Sequence, residues 1–266
     1  MIRLENVSFY VGTNVFNNIN FHLPRKGIAI ILGSRVAGKT AFIDVCLGKE
    51  PVTDGVVRLM DRKLLPGDGP ASVDIRRIGL VTQHVTLMDN LSVAGNVGLP
   101  LAYHLGLRDR DLRDRVNPLL EQFGIGKIGD RFPHQINPNE AKLAMLARAM
   151  IQQPSLVILD EPTAGDIDPA GFIQVMAAIK RFHDNGVSLL ITTCSPSMAS
   201  LEGAGFYYLV DHRLIPHSGQ LETSDRAARE FFKEIRNYTE RQKREISGFF
   251  KVLYKDDQNK DEQTEK

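Results

Sequence analysis

Gly27-Ile28-Ala29-Ile30-Ile31-Leu32 runs directly into Gly33-Ser34-Arg35-Val36-Ala37-Gly38-Lys39-Thr40, and this junction decides the fold. A short, nearly continuous apolar run is what a strand buried on both faces of a parallel sheet requires. The residues after it match the pattern G-x-x-x-x-G-K-S/T, which carries weight when it directly follows a buried strand. Backbone amides of such a loop, with the N-terminus of the next helix, surround phosphate groups. Lys39 adds positive charge near the β and γ phosphates, and Thr40 offers a hydroxyl to Mg2+, so ATP and Mg2+ are the expected ligands. Val36 stands where many such loops carry glycine, and a β-branched residue resists positive φ, so the loop is expected to bind more weakly or in a rearranged form.

Working outward, similar runs recur at Leu156-Val157-Ile158-Leu159 and Ser188-Leu189-Leu190-Ile191-Thr192. Amphipathic stretches at 108–123, 140–152 and 170–184 read as helices between them. That alternation predicts an α/β fold. Residues 2–10 and 16–23 alternate only partly and predict two strands joined by a turn around Gly12. The second buried run ends in Asp160-Glu161, which places two carboxylates at the C-terminal sheet edge, where α/β proteins bind ligands. Asp160 is the candidate to hold Mg2+, directly or through water, and Glu161 the candidate to polarise an attacking water.

The 266 residues, 42% hydrophobic, suffice for one large domain or two small ones. Lys and Arg total 33 against 32 Asp and Glu, so the net charge of +1 gives no electrostatic argument for nucleic acid. Cys46 and Cys194 lie far apart without metal-ligand spacing, which fits a reducing compartment rather than a disulfide scaffold. The N-terminus lacks the regions of a secretory signal. No segment approaches the roughly 20 apolar residues of a membrane span, so a cytoplasmic chain with a separate membrane partner is expected. From Ser224 the pattern turns helical, with Phe231, Ile235, Tyr238, Ile246, Phe249 and Leu253 on one stripe. That stripe packs on a cassette or, with Lys243, Arg244, Lys251 and Lys255 beside it, lies on a membrane surface. Residues 255–266 hold no apolar residue and read as a solvated tail. His84, His104, His134, His212 and His217 form no metal constellation in sequence.

Glu161-Pro162-Thr163-Ala164-Gly165, with Ala147-Arg148-Ala149 and Val81-Thr82-Gln83, resembles the ABC ATPase family over residues 1 to about 220. The resemblance implies a P-loop NTPase (RecA-like) parallel-sheet core with an N-terminal antiparallel β part, a helical subdomain at about 84–152 and a C-terminal helical extension. It divides the chain into a cassette at 1–223, the extension at 224–254 and the tail at 255–266. It also makes Gln83 a contact to Mg2+ or the attacking water, and implies a transmembrane permease and a second ATP-binding cassette as partners. Attachment to the cytoplasmic membrane face through that permease follows. Leu91 to Leu101 and Ser224 to Phe231 look most like the MCE/Mla-type lipid transport ATPases, which implies an MCE-type lipid-binding subunit. Export ATPases of the Lol and Mac kinds share part of that pattern.

Departures from the family pattern bear on activity. The signature Leu-Ser-Gly-Gly-Gln is replaced by Ile136-Asn137-Pro138-Asn139-Glu140. Locally this is a helix start, with Asn137 as N-cap, Pro138 at N1 and Glu140 at N3. As a clamp on a partner's γ-phosphate it is poor, because Glu140 brings negative charge to the helix end. Thr193, followed by Cys194, stands where the family has a histidine, and a hydroxyl cannot carry an imidazolium's charge. Thr163-Ala164-Gly165-Asp166-Ile167-Asp168-Pro169 is one residue longer than usual, leaving Asp166 and Asp168 both as candidates for the dimer contact. Tyr10 is the candidate for stacking on adenine, or else a buried strand aromatic. Two expectations compete: a transporter motor, and a nucleotide-binding but weakly hydrolysing cassette. A third class, ABC proteins of translation or chromosome maintenance, usually carries two cassettes or a long coiled coil, which this chain lacks.

Overall fold

The computed structural model describes residues 1–65, 68, 73–201 and 203–218, together with 233, 235–237, 240 and 241. Strands β1 (Ile2–Val11) and β2 (Asn14–Leu23) form an antiparallel hairpin, and Gly12 in its turn takes φ 59°. Strand β4 (Asp54–Leu59) pairs with the other edge of β1, and β5 (Arg62–Lys63) completes a four-stranded sheet of order β2-β1-β4-β5.

The second sheet has the order β10-β9-β3-β8-β7-β6. Its strands are β3 (Ile28–Gly33), β6 (Ile78–Val81), β7 (Leu156–Asp160), β8 (Ser188–Thr193), β9 (Gly205–Val210) and β10 (Arg213–Pro216). All pairings are parallel except β10 with β9. The apolar runs are continuous because each central strand feeds two cores. Ile28, Ile30, Val157, Leu159, Leu189 and Ile191 face one hydrophobic cluster, while Ala29, Ile31, Leu156, Ile158 and Leu190 face the other. This is period-two alternation with both faces covered.

The second cluster holds α1 (Lys39–Cys46) between the two sheets, through Phe42, Ile43 and Val45. The first is covered by α2 (Val93–Leu105), α3 (Asp109–Gln122), α4 (Pro138–Met150) and α5 (Pro169–Asp184). Three of these match the predicted stretches. Helix α4 starts two residues before the predicted 140 because Asn137 and Pro138 open it. Helix α2 hides from a propensity reading, since Gly95, Gly98 and Pro100 lie inside it. Gly98 is needed there: a Cβ would stand 3.0 Å from both Leu112 and Val116 of α3.

Asn96, fully buried, organises the start of α2. Its Oδ1 accepts the amide of Met88 at 2.6 Å, and its Nδ2 donates to the carbonyls of Met88, Leu91 and Ser92 at 3.0 to 3.1 Å. Apart from Ile235, the predicted C-terminal stripe lies outside the described residues, as does the 255–266 tail. Ile235 packs against Leu32, Tyr208 and Ile215. No helix among the described residues is long and apolar enough to cross a membrane. Replacing Asn96 by Leu, of similar size, takes the partner from the Met88 amide and the Leu91 carbonyl and is expected to cost about 2 kcal/mol in urea denaturation; a change below about 0.5 kcal/mol would contradict this role.

Candidate functional site

Gly33 ends β3 and Gly38 stands immediately before α1 with φ 86°. A side chain at Gly38 would meet the Phe16 ring at 2.6 Å, and one at Gly33 would meet the Leu209 carbonyl at 2.8 Å. The loop is therefore pressed against both sheets and admits only glycine at its ends. Val36 is not among the positive-φ residues and is 88% exposed, so the conflict expected between its branched Cβ and the loop does not arise. Ser34 and Arg35 are exposed, and Ala37 is half-buried.

Lys39, 4% exposed, turns back into the loop. Its Nζ donates to the carbonyls of Gly33 at 2.9 Å and Ser34 at 2.6 Å, and lies 3.0 Å from Oε1 of Glu161. All three ammonium protons are thereby engaged. Glu161 reaches this position because its φ of 49°, sparsely populated for a non-glycine residue, turns it out of the strand. Its amide still donates to the Thr192 carbonyl at 2.9 Å, and its Oε2 accepts the amide of Cys194 at 3.0 Å.

Asp160 is held on both oxygens: Oδ2 accepts from the Thr40 hydroxyl at 2.9 Å, and Oδ1 from the Thr192 hydroxyl at 2.6 Å. Thr40 and Asp160 thus present two hard oxygen donors to one point, a set that suits Mg2+. Among the described residues no group of three His, Cys, Asp or Glu is placed to hold a metal. The structure brings Lys39, Thr40, Asp160 and Glu161 together, with Gln83 alongside through its main chain. The Gln83 side chain is exposed, and its carbonyl accepts from Nζ of Lys142 at 3.1 Å.

Tyr10 is not brought to the loop. It pairs with Val15 and is 59% exposed, whereas Phe9 and Phe16, on the other face of the hairpin, stack at 4.7 Å with Phe16 against Gly38. Thr193 points to the sheet face opposite Thr192 and Asp160, and its hydroxyl accepts the Ser195 amide at 2.9 Å. The exposed residue at this strand exit is Cys194. Of the two candidate aspartates, Asp168 caps α5 by accepting the Gly171 amide at 2.7 Å, a bond that holds its carboxyl below the ordinary aspartate pKa, and Asp166 is exposed. The capping box forms as the sequence predicts: Asn137 Oδ1 accepts the Glu140 amide and Glu140 Oε2 the Asn137 amide, both at 2.9 Å.

A loop of this pattern on a parallel strand, with a strand-end acid pair closing on its lysine, is matched by a family model described as ABC transporter over residues 16–164, more than half of the chain. The chain belongs to the ABC transporter family. It is 30% identical over 193 residues to a macrolide export ATP-binding/permease protein, MacB, of Syntrophobacter fumaroxidans, a match covering 71% of this chain and 27% of that protein. It is 29% identical over 200 residues to the methionine import ATP-binding protein MetN of Escherichia coli K12, covering 73% and 58%. The chain therefore spans about a quarter and just over half of these relatives. The fold is that of the ABC transporter cassette MJ0796, with TM-score 0.69 at 24% identity over 80% of this chain and 96% of that one. Clostridium perfringens cbiO1 gives TM-score 0.71 at 23% identity over 80% and 86%. Neither curated relative is named for a lipid.

Two features escaped the sequence reading. Cys194 enters through its backbone amide, which no side-chain pattern signals. Lys142, 2% exposed, lies in the run Ala141 to Ala147, buried throughout, and a lone cation in such a run was the available signal. Burial pushes its pKa below the ordinary lysine value, against the pull of Asp160 and Glu161. Breaking a buried ion pair from one side leaves an uncompensated charge. Lys39→Met is therefore expected to destabilise the chain by about 3 kcal/mol in thermal unfolding, with Lys39→Met/Glu161→Gln recovering most of it. Additive effects in that cycle would show that the pair is not coupled.

Proposed function

We propose that this chain is the ATP-binding subunit of an ABC transporter complex, coupling ATP binding and hydrolysis to substrate movement by a membrane permease. The observation that carries this reading is the convergence of Lys39, Thr40, Asp160 and Glu161 at the exit of β3 and β7. Lys39 has three acceptors in the structure, the carbonyls of Gly33 and Ser34 and the Glu161 carboxylate. A triphosphate entering the loop takes the amides of Ser34 to Thr40 and draws Nζ of Lys39 from Glu161 to the β and γ phosphates. Thr40 and Asp160 would hold Mg2+, with Gln83 from the adjoining segment, and the ion would supply charge neutralisation between the β and γ groups. Glu161, released from Lys39 but still aligned by the Cys194 amide, accepts a hydrogen bond from the attacking water.

A second reading, a nucleotide-binding but weakly hydrolysing cassette, is favoured by the self-capped start of α4 and by Thr193 lying on the sheet face opposite Asp160. The capping box occupies amides that an intact signature would offer to a second cassette's nucleotide. In a heterodimer this would degrade the partner's site while leaving this chain's own site open to an intact signature. The finer reading, MCE/Mla-type lipid transport, rests on Leu91 to Leu101 and Ser224 to Phe231. It brings with it a cassette at 1–223 with helical subdomain 84–152, an extension at 224–254, and a position on the cytoplasmic membrane face.

The test is ATP turnover and binding by the chain with its permease, as wild type, Lys39→Ala and Glu161→Gln. Lys39→Ala should abolish binding. Glu161→Gln should lower turnover at least about 100-fold while raising ATP affinity about ten-fold, since it removes both the basic carboxylate that polarises the water and Lys39's competing anion. Turnover untouched by Glu161→Gln overturns the motor reading. Wild-type binding without turnover selects the second reading.

A further inference from the structure

Among the described residues, Lys142 is the one buried cation near the site that the reading above leaves without a task. Helix α4 is packed against α2, α3, α5 and β6, so Lys142 cannot extend its ammonium to water along the helix surface. Burying an ammonium costs several kcal/mol unless anions or other groups compensate, so a lysine held here must be met by partners inside the fold. Its Nζ is spent first on the Gln83 carbonyl at 3.1 Å. Gln83 leaves β6 two residues after Val81, and Val81 is paired with Leu159, the residue before Asp160 and Glu161. The segment that Lys142 holds is therefore the one emerging beside the acid pair, within electrostatic reach of both carboxylates.

Counting charges gives the reason. In the structure Lys39 and Lys142 face Asp160 and Glu161, two against two. When a polyphosphate draws Lys39 away and Mg2+ engages Asp160, Lys142 is the side-chain cation that stays fixed beside the acid pair as the ligand's negative charge arrives. We propose that Lys142 is a positioning residue of the phosphate site, tethering the Gln83 segment to α4 and neutralising the acid pair once Lys39 moves to the nucleotide. This rests on the nucleotide reading above. The need for the countercharge grows with phosphate charge, so it is felt more by ATP than by ADP.

The experiment uses the full chain as wild type, Lys142→Gln, Lys142→Met, Lys142→Arg and Lys39→Ala, with calorimetric titration of Mg-ATP and Mg-ADP and thermal unfolding without nucleotide. Lys142→Gln, which keeps a donor for the Gln83 carbonyl, should lose less thermal stability than Lys142→Met, and both should lose about ten-fold in ATP affinity and less than about three-fold for ADP. Lys142→Arg, which keeps charge and donors, should return ATP affinity to within about three-fold of wild type. A wild-type ATP to ADP ratio in whichever neutral variant folds overturns the proposal. So does failure of both to fold, because Lys142 would then serve the core. If Lys39→Ala binds ATP normally, the nucleotide reading itself falls; if it does not bind while the neutral Lys142 variants keep the wild-type ratio, only the role of Lys142 falls.

Discussion

The buried pair between Lys39 and Glu161 is the constraint to which the rest of the site is adjusted. An ammonium and a carboxylate withdrawn from water hold their charges only when every remaining proton and lone pair finds a partner. The fold meets this from three directions. The loop turns two carbonyls back onto Lys39, β8 lends the Cys194 amide to Glu161, and the left-handed φ of Glu161 aims the carboxylate at both. None of these holds without the parallel alignment of β3, β8 and β7, which brings three strand ends to one edge.

That alignment is itself a product of two cores. The hairpin sheet and α1 press on one face of the parallel sheet, the helices α2 to α5 on the other, and the central strands have no polar face left to present. Among the described residues, the buried polar side chains of the parallel sheet lie at or just beyond its strand ends, with Ser188 at the start of β8 and Asp160, Glu161, Thr192 and Thr193 at the C-terminal edge. The position of the chemistry thus follows from covering the sheet: polar groups collect where the covering stops. A buried Asn96 performs the equivalent task in the helical region, tying the Met88 amide and the carbonyls of Met88, Leu91 and Ser92 to one side chain at the start of α2.

How much of this was legible in the sequence follows from the range of each interaction. The β3 run, the loop, the acid pair and the capping box are local patterns whose physics is complete within a few residues, and the structure forms each of them at the positions the sequence marks. Helix α2 was not legible, because Gly95, Gly98 and Pro100 lower its intrinsic propensity and only contact with α3 explains Gly98. The strain foreseen at Val36 depended on a backbone angle that the loop does not use there. The orientation of Thr193 depended on strand parity, which fixes Thr192 rather than Thr193 on the Asp160 face. Tyr10 fell on the far side of its hairpin for the same reason. Lys142 was visible as a charge among apolar neighbours, but its partner lies 59 residues away and only the tertiary fold supplies it.

Helix α4 is fastened twice to the segment that follows β6. Lys142 grips the Gln83 carbonyl near the start of the helix, and nearer its end Arg148 donates to both the carbonyl and the hydroxyl of Thr86 at 2.7 Å. Two anchors at separate heights along a rigid rod forbid the segment from sliding or pivoting without turning the rod. The 83–86 segment and α4 are therefore joined along most of the helix's length, and the capped tip at Asn137 and Glu140, beside the start of α5, belongs to the same joined body.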